Sequence, residues 1–249
     1  MVTPLKPLKW YKGLAVKKGR LEAGAFTVEG DRAIRQILNI SPESILEIIT
    51  VKEPPKIFTE YPVRLLPESR FRSICHTKTP QGILAIVRLP AETYSDSPPD
   101  ITGSKILLME DIQDPGNTGT LIRTAAAFGF SGVIMTGSCA DPFSPKSVQA
   151  AAGSVLSVWL RRKTKYLELI RELKESGFVL VAADVDGDEK PSVLAGHGKI
   201  ILALGNEASG LSEVVLSMAD YCVGIPTDRE KAESLNVAAC GAILMYLSS

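Results

Sequence analysis

KILLMEDIQDPGNTGTLIRTAAAFGFSGVIMT, residues 105–136, decides the fold class of this chain. It opens on a continuous apolar run, Lys105–Met109, and passes through a polar loop rich in turn formers. A helix-length stretch, Gly119–Phe128, then leads to a second apolar run, Gly132–Thr136. Two short runs without polar alternation, joined by a helix, predict parallel strands buried on both faces. The pattern continues toward the C-terminus. Apolar runs at Val179–Ala183, Ile200–Leu204 and Cys222–Ile225 alternate with helix-length segments such as Tyr166–Ser176 and Ala232–Tyr246. The expected fold is therefore α/β, with a parallel sheet in the C-terminal half. Upstream, Ala25–Glu29, Ile45–Val51 and Gly82–Arg88 read as strands and Gly30–Leu38 as a helix, a smaller α/β unit.

Charge divides the chain at the same place. The whole has 249 residues, 28 Lys+Arg and 28 Asp+Glu, a net charge of zero. Residues 1–98 carry 15 bases and 10 acids, net +5, and residues 99–249 carry 13 and 18, net −5. The polar, proline-bearing stretch Ala91–Ser104 is the expected linker, giving domains 1–98 and 99–249. The first twenty residues hold six bases (Lys6, Lys9, Lys12, Lys17, Lys18 and Arg20) and no acid. Such an arm is either a solubilising tail or a grip for phosphates.

Several classes are excluded. Apolar content of 45% and charged content of 22% argue against disorder and coiled coil. No uncharged apolar run approaches the roughly 18 residues that a membrane span needs. The N-terminus lacks a signal-peptide core. Cys75, Cys139, Cys222 and Cys240 form no CxxC, as expected of a reduced, cytoplasmic protein. His76 and His197 stand far apart with no paired ligand, so no catalytic metal is expected. Neither a GxSxG elbow nor a phosphate-binding GK[ST] loop occurs.

Ligands of open parallel sheets gather where strands end, and three strand-to-loop junctions are chemically unusual. After Lys105–Met109, Asn117 or Thr118 is placed to cap a helix that carries Arg123 one turn inside. After Ile200–Leu204, Gly205-Asn-Glu-Ala-Ser-Gly-Leu-Ser212 sets Glu207 between glycines that let backbone amides face a ligand. After Cys222–Ile225, a charged loop feeds Ser234, as a candidate N-cap, and Asn236 into an alanine-rich helix. Taken singly, each is equally a capped strand–turn–helix.

In this order and spacing, the three junctions resemble the motifs of the SpoU family of RNA ribose 2′-O-methyltransferases, within the knotted SPOUT superfamily. The first motif, Asn-x-Gly-x-x-x-Arg, reads as Asn117, Gly119 and Arg123. The second reads as Gly205, Glu207, Gly210 and Leu211, and the third as Ile225, Pro226, Ser234, Leu235, Asn236 and Val237. Asp141–Gly153 resembles the family's intervening loop, with Gln149 and Ala151 in place of Arg and Ser. Val28–Gly30 and Thr79–Ile83 resemble its N-terminal substrate-binding domain. The charged loop Thr227–Glu233 departs from the family, where that loop is one residue shorter and bears glycine.

The resemblance implies a deep trefoil knot near the C-terminus and a homodimer whose catalytic site is completed across subunits. It implies S-adenosylmethionine as cofactor, held mostly by backbone at Gly205, Ile225 and Leu235. Arg123 is assigned to the ribose or an adjacent phosphate, where its guanidinium stabilises a developing alkoxide. Asn117, Glu207, Ser234 and Asn236 are assigned to positioning. The implied substrate is structured RNA, ribosomal rather than transfer RNA, contacted by Lys9, Lys12, Lys17, Lys18 and Arg20. A catalytically silent RNA-binding or assembly factor is the alternative.

Overall fold

The computed structural model describes residues 6–95, 99, 103–228, 230–231 and 234–249. They group into two compact units. One comprises the chain up to Ala91 together with Asp141–Leu156, and the other comprises Glu92–Ala140 and Ser157–Ser249. Of the expected linker, residues 96–98 and 100–102 lie outside the described residues, as do 229, 232 and 233 of the charged loop.

The smaller unit is built on four strands: β1 (Ala25–Glu29), β2 (Ile45–Thr50), β3 (Val63–Leu65) and β4 (Ile83–Arg88). Their order is β1-β4-β2-β3, with β4 antiparallel to both β1 and β2 and β3 parallel to β2. Tyr11, Leu14, Ile49, Phe71, Leu84 and Ile86 form one core cluster of this unit. The basic arm is therefore no loose tail. Its first helix, Leu8–Gly13, inserts Tyr11 into that core and the helix's C-cap inserts Leu14, at 0% and 1% exposure, and a second helix, Lys17–Ala23, follows. The helix Asp31–Ile40 buries Ile34 and Ile37. The helix Pro145–Ala151, capped by Ser144, packs on β1, and Phe143 meets Phe26 at 4.8 Å between ring centroids.

The larger unit holds six parallel strands: β5 (Lys105–Met109), β6 (Gly132–Thr136), β7 (Trp159–Lys163), β8 (Val179–Ala183), β9 (Ile200–Leu204) and β10 (Tyr221–Val223). Their order is β10-β8-β9-β5-β6-β7. Alternate side chains of β5 serve opposite faces. Ile106 and Leu108 join Leu169, Ile170 and Leu173 of the helix Tyr166–Glu175 in one cluster. The helices Pro115–Ala127 and Val237–Leu247 pack on each other, closely enough that a Cβ on Gly241 would stand 2.5 Å from Leu121 and 2.7 Å from Leu204. The expected parallel α/β sheet is present. Among the described residues, no helix is long and apolar enough to cross a membrane.

Three boundaries differ from the sequence reading. The strand β7, WLRRK, carries three bases in five residues and gives no apolar run, yet Arg161 and Lys163 are buried. The first motif's helix starts at Pro115, because Asp114 rather than Asn117 or Thr118 caps it. The last helix begins at Val237, because Asn236 rather than Ser234 is its N-cap.

Candidate active site

The C-terminal ends of β5 and β9 are turned by polar residues that immediately follow the apolar runs. Asp111 adopts a left-handed backbone at φ 55°, which aspartate tolerates better than most side chains. Its amide donates to Thr136 Oγ1 at 2.9 Å and its carbonyl accepts from Asn206 Nδ2 at 2.8 Å, so the turn is fixed from both sides. Beyond it, the Asp114 carboxylate accepts the Asn117 amide at 2.9 Å, capping the helix that carries Asn117. After β9, Gly205 lies so close to the returning chain that a Cβ would stand 2.2 Å from the Gly210 carbonyl carbon. The loop closes through paired backbone hydrogen bonds between Asn206 and Gly210.

Buried Glu110 ties the two ends together. Its carboxylate accepts the Ser212 amide at 2.7 Å, the Ser212 hydroxyl at 2.8 Å and the Tyr166 hydroxyl. Burial, and then that hydrogen bond to Glu110, push the Tyr166 phenol well above its ordinary value, so it stays a donor.

On this scaffold the three motifs meet through one chain of hydrogen bonds. Asn236 Nδ2 donates to Asn117 Oδ1 at 3.2 Å, and Asn117 Nδ2 donates to Glu207 Oε1 at 2.8 Å. Asn236 Oδ1 meanwhile accepts the Ala238 and Ala239 amides at 2.9 and 3.4 Å. Residues 119 positions apart in sequence are thus locked into one donor–acceptor order. Glu207 is exposed, leaving its second oxygen to a ligand.

Arg123 stands outside this network. Six positions past Asn117, it is rotated about 240° around the helix and is exposed to solvent. Ser234 and Leu235 are also exposed, and with Ile225 they line a cavity of about 90 Å³. Gly205 shapes its loop without lining that cavity.

Sequence reasoning missed the other wall of the cavity: Ala183, Asp184 and Val185 at the end of β8, and Cys240 from the last helix. The strand-end rule that picked out β5, β9 and β10 applies equally to β8 and would have found them. Burial pushes the Cys240 thiol up to about 11, so it is a neutral wall. Asp184 supplies a carboxylate, and Val223, Ile225 and Leu235 supply apolar surface. Missed as well were Glu110, Asp111, Asp114 and Asn206, each a polar residue directly at a strand end or helix start.

The expected RNA contacts lie in the smaller unit. Lys9, Lys12 and Lys18 are exposed, and Lys18 pairs loosely with Glu22 at 3.8 Å. Lys17 is half-buried. Arg20 corrects the reading, because it is 2% exposed and spent within the fold. Its guanidinium donates to the Leu14 and Ala15 carbonyls at 3.0 Å each and pairs with Asp141 at 3.4 Å, stapling the arm to the Asp141–Leu156 segment.

The SpoU rRNA Methylase family model matches residues 104–246, and the MRM3-like substrate binding domain model matches residues 6–85. The chain is 32% identical over 242 residues to the 23S rRNA (guanosine(2553)-2′-O)-methyltransferase RlmP of Bacillus subtilis, covering 96% of this chain and 94% of that protein. It is 32% identical over 176 residues to a 23S rRNA (uridine(2479)-2′-O)-methyltransferase of Streptomyces viridochromogenes, covering 68% and 60%. Among solved structures, the SpoU methyltransferase AviRb of that organism, in complex with AdoMet, superposes with a TM-score of 0.83 at 26% identity, over 98% and 97% of the two chains. An AdoMet-bound rRNA methyltransferase from Sinorhizobium meliloti gives 0.81 at 27% identity, over 100% and 96%. With both domain models matched in sequence order and the three motifs joined at one sheet edge, the chain belongs to the SpoU rRNA methylase family.

Proposed function

We propose that this chain methylates a ribose 2′-hydroxyl of ribosomal RNA, using S-adenosylmethionine. The observation that carries the reading is the hydrogen-bond chain Asn236–Asn117–Glu207, which joins all three family motifs. The full-length likeness to RlmP favours ribosomal over transfer RNA. The site residues fit the cofactor. Val223, Ile225 and Leu235 offer apolar surface to a purine and Asp184 offers negative charge, while Gly205 permits the close turn of the neighbouring loop. Bound there, the cofactor supplies an electrophilic methyl on a cationic sulfur, so transfer to an oxygen nucleophile requires no metal.

The chain's own residues then have three tasks. Asn236 and Asn117 set the direction of the Glu207 carboxylate, whose free oxygen accepts a hydroxyl or an amine of the bound ligands. Ser234 presents its hydroxyl beside the same cavity. Arg123 orients the ribose or its phosphate and stabilises negative charge on the attacking oxygen. Its planar, delocalised guanidinium serves as an electrostatic partner rather than a base. Because Arg123 faces away from Asn117 within one chain, we assign it to a site completed by a second copy. The exposed Ile243, Tyr246 and Leu247 of the last helix support that homodimer. A trefoil knot near the C-terminus follows from family membership. Lys9, Lys12, Lys17 and Lys18 contact phosphates from a domain of residues 1–98, in the cytoplasm where ribosomes assemble.

The test is methyl transfer from labelled S-adenosylmethionine to ribosomal RNA from cells lacking the gene. The expected result is one ribose methylation per target RNA, abolished by Arg123→Ala with cofactor affinity retained. Full activity of that variant would remove Arg123 from the role. Cofactor and RNA binding without transfer would establish the silent binder instead.

A further inference from the structure

A cavity of the smaller unit lies away from the three motifs. It measures about 240 Å³ and opens between the end of β1, the loop His76–Gln81 and the helix Pro145–Ala151. That is below the roughly 300–1,000 Å³ of drug-sized sites and suits one planar heterocycle with its sugar.

Its construction is specific. Glu29, at the end of β1, accepts the His76 amide at 2.6 Å through one oxygen. The other oxygen accepts the Thr77 hydroxyl at 2.6 Å and the Thr77 amide at 3.4 Å. This carboxylate clamps the loop over the sheet, so the one acid of the lining is consumed internally. Gly30 sits at φ 92° with the Gln81 amide against it, and a Cβ there would stand 2.8 Å from Gln81 Oε1. Val28, Ala33, Val148 and Ala152 supply apolar walls. Gln81 and Gln149 are exposed amides at the rim, each both donor and acceptor. His76 Nε2 has no hydrogen-bond partner among the described residues. Arg32, also lining the cavity and exposed, carries the remaining charge.

Apolar walls, amide edges and a single cation match an unstacked base attached to a phosphate. RNA is read in that way, with splayed bases hydrogen-bonded on their edges. We propose that this cavity holds one extrahelical nucleobase of the RNA substrate, separate from the ribose that is methylated, with Gln81 and Gln149 reading its edge and Arg32 its phosphate. Burial holds the His76 imidazole of the lining below its ordinary pKa, which favours its neutral form. The proposal rests on the RNA-methylating reading above and adds a second point of recognition to it.

The experiment uses full-length protein and ribosomal RNA from cells lacking the gene. Two variants are compared with wild type: the double variant Gln81→Ala with Gln149→Ala, both at exposed positions, and Ala33→Phe, which fills the cavity. Melting temperatures report folding. The expected result is an RNA affinity about tenfold lower in each, the loss typical of one base contact. In the double variant the slope of log affinity against log salt should be unchanged, because Arg32 and its phosphate contact are kept. KM for RNA should rise with kcat and cofactor affinity retained. An affinity within twofold of wild type in the folded double variant overturns the proposal, as does a loss accompanied by a shallower salt slope. Micromolar binding of free nucleoside monophosphates, without RNA, would make the cavity a small-molecule site and overturn it too. Wild type that binds RNA but transfers no methyl defeats the catalytic reading and leaves the cavity test standing. Methylation with unaffected cavity variants defeats the cavity alone.

Discussion

Asn236 serves two roles that one substitution separates. Its Oδ1 caps the last helix, and its Nδ2 orders Asn117 and, through it, Glu207. Asn236→Ala removes both and should cost about 1 kcal/mol of stability, read by denaturant unfolding, together with activity. Asn236→Asp keeps a capping oxygen at a helix N-terminus, where negative charge is welcome, but donates nothing to Asn117. Its stability should lie within about 0.5 kcal/mol of wild type, while methyl transfer falls at least about tenfold. Equal activity in the Asp variant would show that the hydrogen-bond chain is only a cap. Gly205 admits no such separation. With a Cβ 2.2 Å from Gly210, Gly205→Ala should destabilise the unit by roughly 1–3 kcal/mol and weaken cofactor binding, measured by calorimetry.

The arm shows how far composition misleads about an element. Its six bases suggest a detachable grip, but Tyr11 and Leu14 are core residues, so deleting the arm would remove part of the core. Charge reversal at exposed Lys9, Lys12 and Lys18 is the cleaner probe. RNA affinity should fall and its salt dependence flatten while the melting temperature holds. An unchanged slope would remove the arm from RNA binding. The same helix makes the unit sensitive to alkali. Burial and the hydrogen bond to Glu47 push the Tyr11 phenol from 10.0 up to about 12. A raised pKa favours the protonated form in the fold, so that contribution is complete below about pH 10 and is lost as pH rises toward about 12. Tyr11→Phe should therefore flatten the decline of melting temperature over that window. The parallel strands were legible because both faces of β5, β6, β8 and β9 are buried and their apolar runs are unbroken. The edge strand β7 was not, because its buried bases break the run. The caps were misplaced because Asp114, Asn117, Ser234 and Asn236 all have capping chemistry, and which one acts depends on where the neighbouring strand delivers the chain. Arg20 reads as surface charge in sequence because its partners, the Leu14 and Ala15 carbonyls and Asp141, are fixed only by folding.

For the molecule as a whole, a net charge of zero conceals two opposed halves of the sequence, +5 over residues 1–98 and −5 over residues 99–249. The smaller unit carries the lysines and the nucleobase-sized cavity, and the larger unit carries the three motifs and an apolar helix face. That face, with Ile243, Tyr246 and Leu247 exposed and Tyr246 meeting Phe128 at 5.9 Å, is where we place the homodimer. Ile243→Glu with Tyr246→Glu should yield a folded monomer in sedimentation, without methyl transfer because Arg123 then has no second site to complete. An active monomer would separate catalysis from assembly. The central claim, methylation of a ribosomal RNA ribose through Arg123, has one direct test. Ribose methylation is mapped across the ribosomal RNA of cells lacking the gene, complemented with wild type or with Arg123→Ala. The account expects one 2′-O-methyl site restored by wild type and not by Arg123→Ala. Identical maps in the presence and absence of the wild-type gene would contradict it.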